Sequence, residues 1–351
     1  MDMTREHRTF TPFRMKGRRL RGPVTAGLVV TIAAAAMAAL AAAVALTAAP
    51  ASATVATAHA SHRGQLISAT PLRTFKDRAA VTARLKADGF NPATDRYGVR
   101  TYRLVYRTVD AHGRPTTASG LLALPIGGPR NLPVVSFTHG TEVFRGDAPS
   151  EQPTGFEPGP AYTYASAGFA VSDPDYLGLG TGPGLHSWMD VPSETTAALD
   201  MLRAARSYVT RGGRTLQRQV LATGFSQGAS AALGLGRALQ AGADPYFRLG
   251  ALAPISGAYD FGGASVPSVL DGELIRLNPN PQLGAKIAVL YTAWMLVGFN
   301  RVHPIAGMPA TIVKDYQGSR HLGSNVAGTA QIVRWFLRLA SIGGQNGAQR
   351  V

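Results

Sequence analysis

Residues 220–241 read VLATGFSQGASAALGLGRALQA and decide the fold of this 351-residue chain. The run at 220–223 is short and apolar, as in a buried strand, and Ala and Leu dominate from Gln227 onward in a helix-forming pattern. Between them, GFSQG at 224–228 has the G-x-S-x-G spacing of a tight strand-to-helix turn that exposes a serine hydroxyl. Its glycines fit because side chains there would collide with the neighbouring strand or helix. We therefore predict that Ser226 is a catalytic nucleophile.

Upstream of this turn, predicted strands alternate with predicted helices. Period-two alternation predicts a hairpin, with strands at 97–109 and 116–124 joined by a turn at 110–114. Further elements are strands at 132–138, 169–172 and 220–223, helices at 162–167 and 194–208, and a polar helical segment over 62–92. This alternation predicts an α/β fold with a mostly parallel central sheet covered by helices on both faces.

A second chemical signal, His139-Gly140-Thr141, follows the predicted strand at 132–138. When a serine attacks an acyl carbonyl, backbone N–H groups must already point at the oxyanion that develops. We expect one donor to be the N–H of Gln227, the residue after the nucleophile, and the other to be the N–H of Thr141. His139 is interpreted as a structural hydrogen-bonding residue and not as the catalytic base.

Three motifs together carry a family resemblance: THGT at 138–141, DYLGLGT at 175–181 with the nearby His186, and TGFSQGA at 223–229. Over residues 95–260 this combination resembles the secreted lipase branch of the α/β-hydrolase superfamily. The resemblance implies an α/β-hydrolase fold and a Ser-Asp/Glu-His esterase or lipase with a small helical cap over its pocket. We interpret Asp173 and Asp175 as residues that brace the DYLGLG loop.

The catalytic base is expected after the serine, because in this fold the triad runs serine, acid, histidine along the chain. After Ser226 the sequence contains only His303 and His321. His321 ends a β-branched strand and a short Gly/Ser loop at 310–321 and precedes an amphipathic helix at 331–340. The family uses this arrangement for its base. We predict His321 as the base and leave His303, in the cap segment, as the alternative.

The acid is the least defined member of the predicted triad. No strand followed by a glycine-aspartate turn is visible between residues 263 and 308. Asp260 follows the apolar run at 249–256, which ends a strand that some α/β hydrolases use for the acid, and it is our prediction. The alternatives are Asp271, Glu273, Asp315 and a triad that lacks its acid.

A cap insertion is predicted at about 264–308, within a hydrolase domain that spans 62–351. Prolines break it into pieces, and residues 283–299 are apolar almost all round. A helix of this kind is buried or faces lipid-like material. Two interpretations stay open. One is a cap helix packed on the core, and the other is a wall of an acyl-binding pocket or an interfacial lid.

Residues 1–53 have the pattern of a signal peptide. Five basic side chains precede an uncharged stretch at 22–53 that ends in the small residues APASA, and AHA at 58–60 offers a second cleavage site. The mature chain would begin near Thr54 or Ser61. Because the uncharged run is longer than a usual signal core, a retained membrane anchor is the alternative. We expect a secreted or cell-envelope protein, and a chain with 0 cysteines has no disulfide.

The chain is strongly basic, with 35 Lys and Arg, 20 Asp and Glu, and a formal net charge of +15. Seven basic and two acidic residues lie in 1–21, so the rest carries +10, dispersed and without a basic run interleaved with aromatics. This pattern is typical of a solvated surface, with an anionic lipid or envelope surface as the alternative, and it argues against nucleic acid as a partner. Neither metal-ligand spacing nor a phosphate-binding loop is visible, so we expect no metal and no organic cofactor.

Together these features predict a secreted serine hydrolase of carboxylic esters, a lipase or esterase acting on acyl glycerols or similar lipid-like esters. Two alternatives remain. One is a peptidase or acyltransferase on the same fold. The other is a catalytically impaired hydrolase fold that acts as a binding or envelope protein, which the undefined acid and the long apolar N-terminal run motivate.

Overall fold

The architecture is known from a computed structural model that describes residues 62–152 and 155–265 and the single positions 268, 280, 298 and 302. The strands are β1 (Leu66–Phe75), β2 (Gly98–Val109), β3 (Pro115–Ile126), β4 (Asn131–Thr138), β5 (Ala170–Pro174), β6 (Thr215–Phe225) and β7 (Arg248–Ile255). The helices are α1 (Arg78–Ala87), α2 (Gly159–Ser166), α3 (Val191–Arg211) and α4 (Gln227–Gln240). Two short turns of helix complete the described elements, the 3₁₀ turn Arg145–Asp147 and the π turn Phe261–Ser265.

The seven described strands form one sheet in the order β1-β2-β3-β5-β4-β6-β7. The neighbours β5-β4, β4-β6 and β6-β7 are parallel, whereas β1-β2, β2-β3 and β3-β5 are antiparallel. The predicted α/β class and the predicted hairpin, which is β2 and β3, are confirmed. Parallel pairing is confined to the half of the sheet that carries the Ser226 turn, because the hairpin adds the antiparallel half.

Helices cover both faces of this sheet, since alternate residues of a strand point to opposite faces. Val134 and Val220 pack in one buried cluster with side chains of α3 and α4. Their chain neighbours Val135 and Leu221 pack in a second cluster with side chains of α1 and α2. Burial on both faces explains why β4 and the second half of β6 read as nearly continuous apolar runs.

The polar helical segment predicted over 62–92 is wrong in its first part, where Leu66–Phe75 is a strand. This strand, β1, lies at an edge of the described sheet, and most of its side chains are exposed or half-buried, so its sequence lacks the apolar alternation typical of a strand. Main-chain pairing with β2 forms it instead. Asp77 then starts α1, because its side chain accepts a hydrogen bond from the N–H of Ala80.

The carboxyl ends of three parallel strands meet at one edge of the sheet. Thr138, the last residue of β4, pairs with Gly224 of β6, and Phe225 pairs with Ile255, the last residue of β7. The Oγ1 of Thr138 also donates a hydrogen bond of 2.7 Å to the carbonyl oxygen of Gly228 in α4. The loop after β4 and the loop after β7 therefore both begin beside the nucleophile turn.

Other predicted segments lie outside the described residues. They are the signal peptide at 1–53, the helix at 331–340 and, apart from residues 264 and 265 and the single positions, the cap at 264–308. Within the described part of the chain, no helix combines the length and the apolar character needed to cross a bilayer.

A buried carboxylate joins α3 to the start of the domain. Asp200 is fully buried. It accepts hydrogen bonds from Thr108 Oγ1 at 2.8 Å, from Arg63 Nε at 3.1 Å and from Arg203 Nη1 at 2.7 Å. Both arginine side chains stay partly exposed, and Arg203 also pairs with Asp244 at 2.8 Å. Because both carboxylate oxygens are satisfied, this charge can be buried while it ties α3 to β2.

We expect Asp200→Asn to lower the free energy of unfolding by about 1–3 kcal/mol, because it removes the charge partner of two guanidinium groups that water only partly reaches. Urea unfolding measures the change. Arg114→Ala is the control, since it breaks an exposed ion pair with Asp110, and it should cost about 0.5 kcal/mol or less. Equal losses in the two variants would contradict the role assigned to the buried carboxylate.

Candidate active site

Ser226 lies in the turn between β6 and α4 in a backbone conformation that few non-glycine residues adopt. Its φ is 57° and its ψ is −119°. Such a conformation costs on the order of 1–3 kcal/mol and persists only where the surrounding structure holds it. Here the N–H of Ser226 donates to the carbonyl oxygen of Ile255 at 2.9 Å. The side chain does not cap α4, so the helix does not use the hydroxyl.

The two glycines of the turn are required by close backbone approach. A Cβ at Gly224 would lie 2.2 Å from the carbonyl oxygen of Gly228, and a Cβ at Gly228 would lie 1.9 Å from the carbonyl oxygen of Thr138. Because both obstacles are main-chain atoms, no side-chain rotation could relieve the collisions. The steric reason given for these glycines from the sequence is confirmed.

The two predicted oxyanion donors lie at the same edge of the sheet as Ser226. Gln227 is the first residue of α4, where a backbone N–H has no acceptor within its own helix. Thr141 lies three residues after β4, and its Oγ1 accepts a hydrogen bond of 2.9 Å from Trp188 Nε1. Gly140 lets this loop pack against Phe225, whose ring would be 3.1 Å from an added Cβ. Donation to an oxyanion by these N–H groups stays a prediction.

The side chain of Gln227 belongs to a buried polar network. Its Nε2 donates to Glu194 Oε1 at 2.6 Å and contacts His186 Nε2 at 2.9 Å. His186 Nδ1 lies 3.0 Å from the carbonyl oxygen of Leu177. Since a carbonyl only accepts, Nδ1 carries the proton and Nε2 accepts from Gln227. Glu194 and His186 are both buried.

Tyr176 stacks between two histidines in the same region. Its ring centroid lies 4.3 Å from that of His139 and 5.8 Å from that of His186. Its hydroxyl donates to the carbonyl oxygen of His139 at 2.9 Å. Burial lowers the pKa of His139 to about 3, helped by the neighbouring His186, so His139 is neutral at physiological pH. Its Nδ1 lies 2.8 Å from the carbonyl oxygen of Gly140, and its structural role stays a prediction.

The two aspartates of the DYLGLG region differ in their partners. Asp175 is buried and accepts hydrogen bonds from Ser119 Oγ at 2.6 Å and from the N–H of Ser150 at 2.9 Å, so it braces the loop as expected. Asp173 was given the same role by the sequence, and this is wrong, because neither carboxyl oxygen has a hydrogen-bond partner among the described residues. Burial raises the pKa of Asp173 well above its usual range.

Asp260, the predicted acid, lies five residues after Ile255 and is exposed. Its Oδ1 accepts a hydrogen bond of 2.8 Å from the N–H of Gly263, and its carbonyl oxygen accepts from the N–H groups of Ala264 and Ser265 at 3.0 Å. In the described part of the chain Asp260 therefore begins the π turn Phe261–Ser265. Its catalytic role stays a prediction.

The remaining triad candidates lie outside the described residues. They are the predicted base His321, the alternative base His303 and the alternative acids Asp271, Glu273 and Asp315. Over the part of the chain that is described, no three His, Asp or Glu side chains are grouped so that they could hold a metal ion.

Three carboxyls near the predicted oxyanion donors Thr141 and Gln227 were not predicted from the sequence. Glu142, next to Thr141, shares a side-chain hydrogen bond with Glu157, and burial raises the pKa of both carboxyls. Glu194 was missed because an acidic residue in the first turn of a helix normally lies at the surface. No local pattern distinguishes it, since its partner Gln227 is 33 positions away.

Glu194 predicts a pH dependence of stability. Burial raises its pKa to about 8, although the hydrogen bond from Gln227 opposes the shift. An unfolded Glu titrates near pH 4.3. Between these two values the folded state binds the proton more tightly, so the free energy of unfolding falls as pH rises.

We expect Glu194→Gln, which cannot ionise, to remove part of that fall. Between pH 5 and pH 8, urea unfolding of the variant should show a stability loss smaller by about 2–4 kcal/mol than that of the natural chain. Identical pH slopes would mean that Glu194 is ionised in the folded protein throughout this range.

Comparisons with known proteins find similarity among solved structures. No protein-family profile matches the chain, and no curated protein matches it. Among solved structures, the rice cell wall degrading esterase LipA from Xanthomonas oryzae has a TM-score of 0.56 and 30% identity, over 69% of this chain and 60% of that chain. A Legionella pneumophila protein provisionally named a hydrolase has a TM-score of 0.55 and 26% identity, over 68% of this chain and 61% of that chain.

The matched region spans about three fifths of the length of each of these proteins, as the 60% and 61% coverages state. Sequence identities of 26% and 30% accompany the similarity in fold. The chain therefore has the α/β-hydrolase fold and is similar to a lipase-like esterase of that fold.

Proposed function

We propose that this protein is a serine hydrolase that cleaves carboxylic esters, with Ser226 as the nucleophile. The observation that carries the proposal is the backbone of Ser226, held at a φ of 57° between β6 and α4. Strain of this kind exposes a serine hydroxyl and has a use in catalysis. The similarity to LipA of Xanthomonas oryzae, which is named an esterase, supports the same class of reaction.

The reaction proceeds in two halves. The Oγ of Ser226 attacks the ester carbonyl carbon while His321 accepts the hydroxyl proton, and the carbonyl oxygen becomes an oxyanion held by the N–H groups of Thr141 and Gln227. Collapse of the intermediate releases the alcohol, to which His321 returns the proton. His321 then takes a proton from the water that attacks the acyl-enzyme. The bond between the acyl carbon and Ser226 Oγ breaks, His321 returns the proton to Oγ, and the carboxylic acid leaves. Asp260 orients the histidine in this scheme.

We propose that the substrate is a lipid-like ester, an acyl glycerol or a similar compound. Three large apolar side chains support this: Phe144, Leu185 and Tyr259 are each more than half exposed, at 56%, 52% and 56%. They lie on the loops after β4, β5 and β7, at the edge of the sheet where Ser226 lies. Exposed apolar side chains on loops at this edge suit a site for an apolar acyl chain or a lipid surface. The apolar stretch at 283–299 adds to the same expectation.

We expect the natural chain to hydrolyse p-nitrophenyl esters and Ser226→Ala to lose at least about 10³-fold in kcat. The rate across a series from acetate to palmitate should peak at a longer acyl chain. Ser68→Ala is the matched control, because Ser68 is exposed on the edge strand β1. This variant should hydrolyse the esters at the rate of the natural chain. Retained hydrolysis in Ser226→Ala would exclude Ser226 as the nucleophile.

His321→Ala and Asp260→Asn extend the same experiment to the base and the acid. Losses comparable to that of Ser226→Ala would support the full triad. The exposed carboxylate of Asp260 and its bond to the N–H of Gly263 favour one alternative, a hydrolase fold with an impaired triad. Ester hydrolysis no faster in the natural chain than in Ser226→Ala would support that alternative, and the protein would then act by binding.

We also propose that the protein is exported and that residues 1–53 direct the export. The support is the order of basic residues, uncharged stretch and small residues at the N-terminus.

Cell fractionation and N-terminal sequencing test this proposal. We expect the protein in the medium or the cell envelope with Thr54 or Ser61 as its first residue. A chain expressed without residues 1–53 is the control and should stay in the cytoplasm. An intact N-terminus in the membrane fraction would indicate an anchor, and a full-length cytoplasmic protein would contradict export.

A further inference from the structure

Glu194 lies between the two segments that carry the predicted oxyanion donors. It is buried, with 1% of its surface exposed, in the first turn of α3. Its Oε1 accepts from Gln227 Nε2 at 2.6 Å and from the N–H of Met189 at 3.1 Å. Thus one carboxyl oxygen binds both the residue after the nucleophile and the segment before α3.

The hydrogen bond from the N–H of Met189 to Glu194 connects Glu194 to Thr141, the second predicted oxyanion donor. Met189 has a φ of 59°, a strained value for a non-glycine residue, so a hydrogen bond to its N–H helps to hold that conformation. The residue before it, Trp188, donates its indole N–H to Thr141 Oγ1 at 2.9 Å. Glu194 is therefore connected to Thr141 through two consecutive residues.

The bond to Gln227 acts on the first donor. Gln227 uses one amide proton on Glu194 and the other on His186 Nε2, so its side chain is held from two sides. Since Gln227 follows Ser226 directly, fixing its side chain also helps to hold the strained turn. The peptide between Ser226 and Gln227 carries the predicted donor N–H.

Stabilising the start of α3 would not require Glu194 to be buried. Asp190 already caps α3, because its Oδ2 accepts from the N–H of Ser193 at 3.2 Å. An acidic side chain also favours a helix N-terminus from the surface. Burying a carboxyl costs free energy, and Glu194 Oε2 has no hydrogen-bond partner among the described residues. A role in catalysis would explain this unfavourable burial, since donors held in fixed positions stabilise a developing oxyanion.

We propose that Glu194 is a positioning residue that fixes both oxyanion donors, Gln227 through its side chain and Thr141 through Met189 and Trp188. This inference rests on the proposed ester hydrolysis at Ser226. Glu194 touches neither the ester nor the nucleophile in this role. It acts by holding the two N–H groups where the oxyanion forms.

The test compares the full chain with Glu194→Ala, Glu194→Gln and Gln227→Ala in ester hydrolysis and in the rate of Ser226 labelling by a fluorophosphonate probe. We expect Glu194→Ala to lower kcat about 10- to 100-fold with KM changed less than about twofold, because the donors act mainly in the transition state. Glu194→Gln keeps an acceptor oxygen and should recover most of the rate. Gln227→Ala keeps its backbone N–H, and its loss should not add to that of Glu194→Ala.

Asp190→Ala is the matched control, because it removes the cap of the same helix without removing a group that contacts Gln227. It should cost stability of about 1 kcal/mol and leave kcat unchanged. Equal kcat losses in Asp190→Ala and Glu194→Ala would overturn the proposal. So would an additive Glu194→Ala/Gln227→Ala double variant, or an increased KM at unchanged kcat.

Failure of the proposed function gives a different result. If the natural chain is labelled at Ser226 but hydrolyses no ester, the proposed function is wrong, and the labelling rates of the Glu194 variants still decide the positioning role. A natural chain that is not labelled at all overturns both proposals.

Discussion

The structure of the site depends on one close contact, between the end of β4 and the first turn of α4. A Cβ added to Gly228 would lie only 1.9 Å from the carbonyl oxygen of Thr138. This contact allows Thr138 to bond the carbonyl of Gly228 and places the loop after β4 next to the helix N-terminus. A methyl group added at Gly228 would therefore push β4 and α4 apart, because the atom it meets belongs to the main chain and cannot rotate away.

Several carboxyl groups are buried near the ends of the strands that carry the site. Helix starts leave backbone N–H groups without partners within the helix, and the starts of α3 and α4 both lie close to such carboxyls or their partners. Asp175 is buried among hydroxyl and N–H donors, Glu194 among an amide and a backbone N–H, and Asp173 with no partner in the described residues. Buried carboxyls with raised pKa values concentrate at functional sites. Burial of these carboxyls lowers the free energy of unfolding, and the two apolar clusters on the faces of the sheet offset that loss.

Much of the fold could be predicted from sequence because its signals are local. The apolar runs of β4 and β6 and the glycines around Ser226 each identify an element from neighbouring residues. Strand β1 could not be predicted in this way, since its pairing with β2 creates it. The same holds for Glu194 and His186, which meet Gln227 from 33 and 41 positions away. The sequence predicted Gln227 for its backbone N–H and contained no signal for the network around its side chain.

Strand β1 has a consequence for the behaviour of the protein at high concentration. It leaves one side of its backbone unpaired at the edge of the described sheet, and Ile67 and Leu72 are 49% and 38% exposed there. An uninterrupted strand of this kind would offer a template for edge-to-edge association between molecules. Two register shifts, at Leu66/Ser68 and Pro71/Thr74, break the regular spacing, and Pro71 lacks an N–H to donate. The irregular edge thus protects a chain without disulfides from strand-mediated aggregation.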